Sequence, residues 1–160
     1  MTAHAVLIAD AVTKAINDES WPITFRAERS YADFDEQLHE LGAVRVDVVP
    51  VTDPITYLQS RDGINWDLSI DVGVRKRFDQ DEIDQASGKI ILSAIDQLTS
   101  LLESLATLLV AQRIDSLLPA GTWWRSTDIR QLYTRDHLRQ WSQFTGFVRI
   151  TITTESQIGA

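Results

Sequence analysis

Along the chain the spacing of apolar residues changes period several times, and each change marks an element. Over residues 3–17, Ile8, Val12, Ala15 and Ile16 share one helical stripe while Asp10, Lys14 and Asn17 face elsewhere. That spacing predicts an amphipathic helix, closed by the polar residues 17–20 and by Pro22. The segment ITFRAER alternates, Ile23, Phe25 and Ala27 against Thr24, Arg26 and Glu28, and predicts a first strand. In DFDEQLHEL, Phe34, Leu38 and Leu41 recur at helical spacing, which predicts a short helical turn ended by Gly42. AVRVDVVP predicts a second strand, with Val44, Val46 and Val48 on one face, Arg45 and Asp47 on the other, and Pro50 as its stop. Residues 51–65 carry two turn signals, Asp53-Pro54 and Asp62-Gly63, and read as an excursion projecting between strands. DLSIDVGVRKRF, residues 67–78, predicts a third strand with Leu68, Ile70, Val72 and Val74 on its apolar face.

Residues 79–113 predict the main helix. Ile91, Ile95, Leu98, Leu102, Leu105 and Leu109 form its stripe, which Leu101 and Leu108 widen. Each buried aliphatic side chain contributes roughly 1.5 to 3 kcal/mol, far more than surface charge pairs add, so this helix is expected at the centre of the core. Pro119 and Gly121 end the segment. TWWRST reads as a short strand or an extended loop, RDHLRQWSQ is ambiguous, and FTGFVRITITT closes the chain as the last strand. The order α-β-β-β-α-β predicts one α+β domain over residues 1–160, with a projecting loop at about residues 51–65. A mostly antiparallel sheet of about four strands would be packed by the N-terminal helix and the Leu-rich helix on one face, leaving the other free for subunit contacts.

A length of 160 residues suits one domain with its own core, and an apolar content of 44% argues against global disorder. The absence of cysteine removes disulfides, thiol catalysis and thiolate metal sites. The N-terminus lacks the basic start of a signal peptide, and charges interrupt the most apolar stretch, residues 89–110, so no membrane span is predicted. A net charge of −8 argues against coating nucleic acid as the main role.

Candidate chemistry is sparse. The acidic run Asp79, Asp81, Glu82 and Asp84 fails as a calcium loop: Asp84 stands where the turn needs Gly, and Ile90 where a bidentate Glu is needed. Asp79 with Glu82 reads instead as a capping box at the start of the main helix. His4, His39 and His137 have no ligand spacing, and no nucleophile elbow, phosphate loop or dinucleotide fingerprint occurs. No catalytic, cofactor or metal residues are assigned, and no enzyme is expected.

The basic triplet Arg75, Lys76, Arg77 suits a phosphate site, a subunit interface or a solvated strand end. Its acidic neighbours favour a strand end or a charge-paired seam, with Asp79 and Asp81 as the carboxylates that would face it. Trp123 and Trp124, adjacent in an extended segment, would point to opposite faces, so one is a candidate interface anchor unless both fold down in an irregular loop. In the excursion, Tyr57, Gln59, Arg61 and Asp62 are candidates for contact with a partner, the alternative being a mobile surface loop.

Over residues 5–153, the N-terminal helix, TFRAERSY, VRVDVVP, a loop with a Trp, IDVGVRKRF, a Leu-rich helix and LYTRDHLRQWSQFTGFVRITIT follow in an order that resembles the tail terminator family of long-tailed bacteriophages. The resemblance implies a structural protein of the virion neck, assembled in the host cytoplasm. It would form a ring, six copies in that family, on the head-proximal end of the tail tube. The ring would end tube polymerisation and offer a docking surface to the head connector, while DNA passes through the lumen without specific binding. Its partners would be itself, the tube protein and the connector, with no cofactor and no membrane. The candidate loop would then meet the tube or the lumen. A head-side neck protein joining portal and tail is the neighbouring alternative, and DNA binding through Arg75–Arg77 a more distant one.

Overall fold

In the computed structural model, residues 2–52, 54–59, 61, 63–110 and 114–157 are described. Helix α1 (His4–Asn17) buries Ile8, Ala9, Val12, Ala15 and Ile16, the expected stripe. Strand β1 is only Ala27–Arg29, shorter than the alternation of residues 23–29 suggested. The side-chain amide of Asn17 explains its outer limit, donating to the Ala27 carbonyl at 3.0 Å and accepting from the Ala27 N–H at 2.8 Å. The end of α1 thus fills the place of a further strand.

Strands β2 (Arg45–Pro50) and β4 (Gly63–Arg77) lie where the alternation places them, β4 starting earlier than expected. The excursion at residues 51–65 is partly ordered by a two-residue strand β3 (Leu58–Gln59), which folds back on Asn65 and Ile64 of β4. The main helix is shorter than the apolar stripe suggested. Helix α2 (Leu92–Leu108) begins well after Asp79, because residues 79–91 fold otherwise. A 3-10 turn (Gln80–Glu82) is followed by a bridge between Ile83 and Ile90, closed by Gly88 at φ +70°. The Asp79–Glu82 capping box exists, but it caps this turn and not the long helix. Ile91 and Leu92 are therefore exposed, while Leu98, Leu101, Leu102, Leu105 and Leu108 are buried. The expected tail of the helix at residues 111–113 lies outside the described residues.

TWWRST opens a true strand, β5 (Thr122–Gln131), and the ambiguous segment contains helix α3 (Arg135–Trp141). Ser142, at φ 47°, ends α3 and turns the chain into β6 (Gln143–Gln157). DFDEQLHEL forms no helix: a single hydrogen-bonded turn, Glu36 N–H to the Asp33 carbonyl at 3.3 Å, is followed by irregular chain up to a bridge between Leu41 and Arg77.

The fold is α+β, with three α-helices among the described residues and one sheet of six strands, not about four. Its order is β1-β2-β4-β6-β5, with β3 pairing β4 off that path. β1 runs parallel to β2, and the other pairings are antiparallel. The register places Val46, Val48, Leu68, Ile70, Val72, Val74, Val148, Ile150 and Ile152 on one face, which packs against α1 and α2 as the core. Among the described residues no helix is long and apolar enough to cross a membrane.

Candidate functional site: the second face of the sheet

The face opposite the core was expected to be free, but half of it is covered. Residues 30–42 cross it as a strap, and β4 supplies the seat. A Cβ on Gly73 would stand 2.3 Å from the Phe34 ring, so only glycine leaves room for that ring. Phe34 also meets Phe147 of β6, with centroids 5.6 Å apart. The absence of one side chain on the strand therefore lets the strap reach the sheet.

Polar side chains of the strands hold the strap in place. Arg75, 3% exposed, donates to Asp47, 2% exposed, at 2.9 Å and to the Asp33 carbonyl at 3.2 Å, and its guanidinium lies 5.5 Å from the Phe34 ring centroid. Ser30 donates to Asp47 from the strap's first residue at 3.0 Å. Gln143, fully buried, accepts from the Leu38 N–H at 2.7 Å and donates to the Glu36 carbonyl at 3.2 Å. Arg77 donates to the Leu38 carbonyl at 3.2 Å, and Gly42 N–H to the Arg77 carbonyl at 2.8 Å. His137 of α3 completes the cluster through Thr145, at 2.8 Å, and stacks on Trp141. Burial pushes the His137 imidazole below its ordinary value; Asp35 and Asp136 oppose that shift and Arg75 adds to it.

The basic triplet is thus divided by the strand's alternation, as expected, but its cations are engaged within the chain. Arg75 is turned inward and withdrawn from any neighbour, which corrects its assignment to a subunit seam: a buried, paired guanidinium has no surface to offer. Lys76, on the core face, pairs with Glu82 at 2.7 Å and lies over Phe78. Asp79 is spent on its capping box, accepting from the Asp81 N–H at 3.0 Å; Asp81 itself is exposed.

The tryptophans divide as alternation requires. Trp124 points to the core face, its indole donating to Thr127 at 2.8 Å, and Trp123, 43% exposed, lies on the second face opposite Thr153. Thr153 is eight residues along β6 from Thr145, the partner of Arg75, or about 26 Å at the rise of a strand. The triplet and Trp123 therefore do not form one site. Of the loop candidates, Tyr57 is 62% exposed with its ring 5.3 Å from Trp66, Gln59 lies in β3, and Arg61 is exposed; Asp62 lies outside the described residues.

The uncovered half of the face is a polar, ion-paired surface. Arg149 forks onto Asp71 at 2.8 and 3.1 Å, Arg125 pairs with Asp67, and Thr153 donates to Asp67 at 2.8 Å. A cleft of about 510 Å³ lies between strap and sheet, walled by Tyr31, Phe34, Val49 and Phe147 with the Asp71–Arg149 pair beside them. Among the described residues no group of histidine, aspartate and glutamate side chains converges as metal ligands. Sequence reasoning missed Gln143 and Gly73; the only available signals were a Gln beginning a strand and a lone Gly within one.

No family model matches the chain, and no curated protein matches it in sequence.

Proposed function

We propose that this protein is a structural subunit that assembles into a ring on the head-proximal end of a phage tail tube. There it ends tube polymerisation and receives the head connector. The observation that carries this reading is the set of phrases spanning residues 5–153. VRVDVVP, IDVGVRKRF and TGFVRITIT are the three central strands β2, β4 and β6, hydrogen-bonded side by side. The resemblance therefore falls on the scaffold that positions every other part, and not on scattered surface segments. A sheet with α1 and α2 packed on one side and a charged, half-covered second face suits a role played through surfaces.

The test is direct. Added to polymerising tube protein, the chain should stop elongation at the end it occupies, giving tubes of limited length by electron microscopy. Unchanged elongation would refute the reading. If labelled pull-downs find the connector before the tube protein, the chain belongs to the head side of the neck.

A further inference from the structure

Gln143 links the strap to a titratable group, and the strap's own backbone sets the direction of each bond between them. The Leu38 N–H can only donate and the Glu36 carbonyl can only accept. The Gln143 amide is therefore oriented with Oε1 toward Leu38, at 2.7 Å, and Nε2 toward Glu36, at 3.2 Å. Nε2 gives its second proton to the Thr145 hydroxyl at 3.1 Å. That leaves the hydroxyl's own proton for His137 Nδ1, 2.8 Å away, since Thr145 Oγ1 has no further partner among the described residues. Nδ1 is thus an acceptor, and the neutral imidazole carries its proton on Nε2. Thr134, which precedes α3, donates to the Thr145 carbonyl at 3.0 Å and keeps helix and strand together.

The side chains of this relay are buried: Gln143 fully, Thr145 to 2% exposure and His137 to 7%. An imidazolium breaks the relay. With a proton on Nδ1, His137 donates, the Thr145 oxygen faces two donors, and its own proton is stranded. A buried polar group without a partner is costly. Once Gln143 turns away, water reaches the hydroxyl, and the bonds to Leu38 and Glu36 are given up.

We propose that His137 is a proton-operated latch on the strap: as neutral imidazole it holds Glu36 and Leu38 on the sheet through Thr145 and Gln143, and as imidazolium it releases them. Phe34 in its seat at Gly73, Arg75 on the Asp33 carbonyl and the bridge from Leu41 to Arg77 hold the two ends of the strap. The released part is therefore residues 35–40. The inference stands apart from the ring reading, because it needs only contacts within one chain.

The charges around His137 set where the latch turns. The strap presents Asp35, with exposed Asp33, Glu36, His39 and Glu40 nearby in the chain; α3 adds Asp136 and the exposed Arg135 and Arg139. β4 contributes Arg75, itself paired with Asp47 of β2, and Arg77 on the Leu38 carbonyl, whereas β6 presents the neutral Gln143 and Thr145. Burial, the largest effect, and Arg75 disfavour the imidazolium, while Asp35 and Asp136 favour it; the net effect lowers the proton affinity below that of an exposed imidazole. The latch is closed near neutral pH and opens as pH falls through that lowered value.

Amide exchange followed by NMR tests it, with each rate corrected for the intrinsic effect of pH. Between about pH 7.5 and about pH 5 the Leu38 N–H should lose about tenfold in protection, with a midpoint at the titration of the His137 ring. Mild urea should leave the Leu38 rate at about pH 5 unchanged, as local opening requires, while it speeds exchange at Ile70 and Ile150 of the core strands. In His137→Asn, whose side-chain oxygen accepts but takes no proton, the Leu38 response to pH should vanish. Constant protection at Leu38, or protection lost only through urea-sensitive global opening, overturns the proposal. A response that persists in His137→Asn assigns it to His39 or the strap carboxylates and overturns it as well. If that variant does not fold, Thr145→Val, which cuts the relay and keeps the imidazole, should abolish the response, and a persisting one has the same force. Imidazole nitrogen shifts that place the neutral ring's proton on Nδ1 also overturn it.

Discussion

Arg75→Met removes a guanidinium that the fold buries against Asp47, and its cost can be worked from the contacts. Both side chains are nearly inaccessible, and their closest approach is 2.9 Å. Breaking one side of a buried ion pair costs about 3 to 5 kcal/mol, because the other charge is left without its partner. Here Asp47 keeps the Ser30 hydroxyl at 3.0 Å and the half-exposed Arg45 at 3.6 Å, which places the loss toward the lower end. The contacts of Arg75 with the Asp33 carbonyl and the Phe34 ring vanish as well, adding about 1 kcal/mol that is coupled to the first term. The expected destabilisation is about 3 to 4 kcal/mol, or a fall in Tm on the order of 10 °C for a chain of this size. Urea unfolding followed by tryptophan fluorescence and circular dichroism measures it. The double variant Asp47→Leu with Arg75→Met should recover most of the loss, since an apolar pair in place of a buried ion pair is close to neutral. A single-variant cost below about 1 kcal/mol, or a double variant worse than either single one, would refute the claim that a buried pair fastens the strap. Arg75→Glu would bring two carboxylates together in the same buried place, so an assembly defect in that variant reports folding rather than a seam.

Gly73→Ala should destabilise by about 1 to 3 kcal/mol by driving a methyl group into the Phe34 ring, and Phe34→Ala in the same chain should lessen the effect; thermal melts decide, and an unchanged Tm would refute the notch. His137 carries a depressed imidazole pKa in the fold, so the unfolded chain binds the proton more readily. Its contribution to stability should be complete above the unfolded value of about 6.5 and fall away as pH drops through the folded value. In His137→Gln, urea midpoints measured between about pH 7.5 and pH 5 should lose that component of the slope; an identical profile would refute the assignment.

By itself the sequence determined the parts whose cause is local. Period-two alternation in VRVDVVP, DLSIDVGV and GFVRITIT specified three strands and their core faces, because neighbouring side chains on a strand must point to opposite sides. Helical spacing specified α1 and the centre of α2 in the same way. It also specified that Arg75 and Arg77 share a face while Lys76 joins the apolar one.

What the second face does was decided only by tertiary structure. Nothing near Asp33 in the chain shows that its carbonyl will meet Arg75, or that Leu38 will pair with a glutamine 105 residues away. Those partners meet because the sheet brings β2, β4 and β6 side by side and Gly73 leaves a vacancy of one side chain. The same long-range packing turned a basic triplet into an internal fastening. α2 stops short of the acidic run, where a 3-10 turn and a bridge between Ile83 and Ile90 pair the backbone in place of helical hydrogen bonds. Periodicity reports which way a side chain points from its own strand; which segment arrives to meet it depends on contacts distant in sequence.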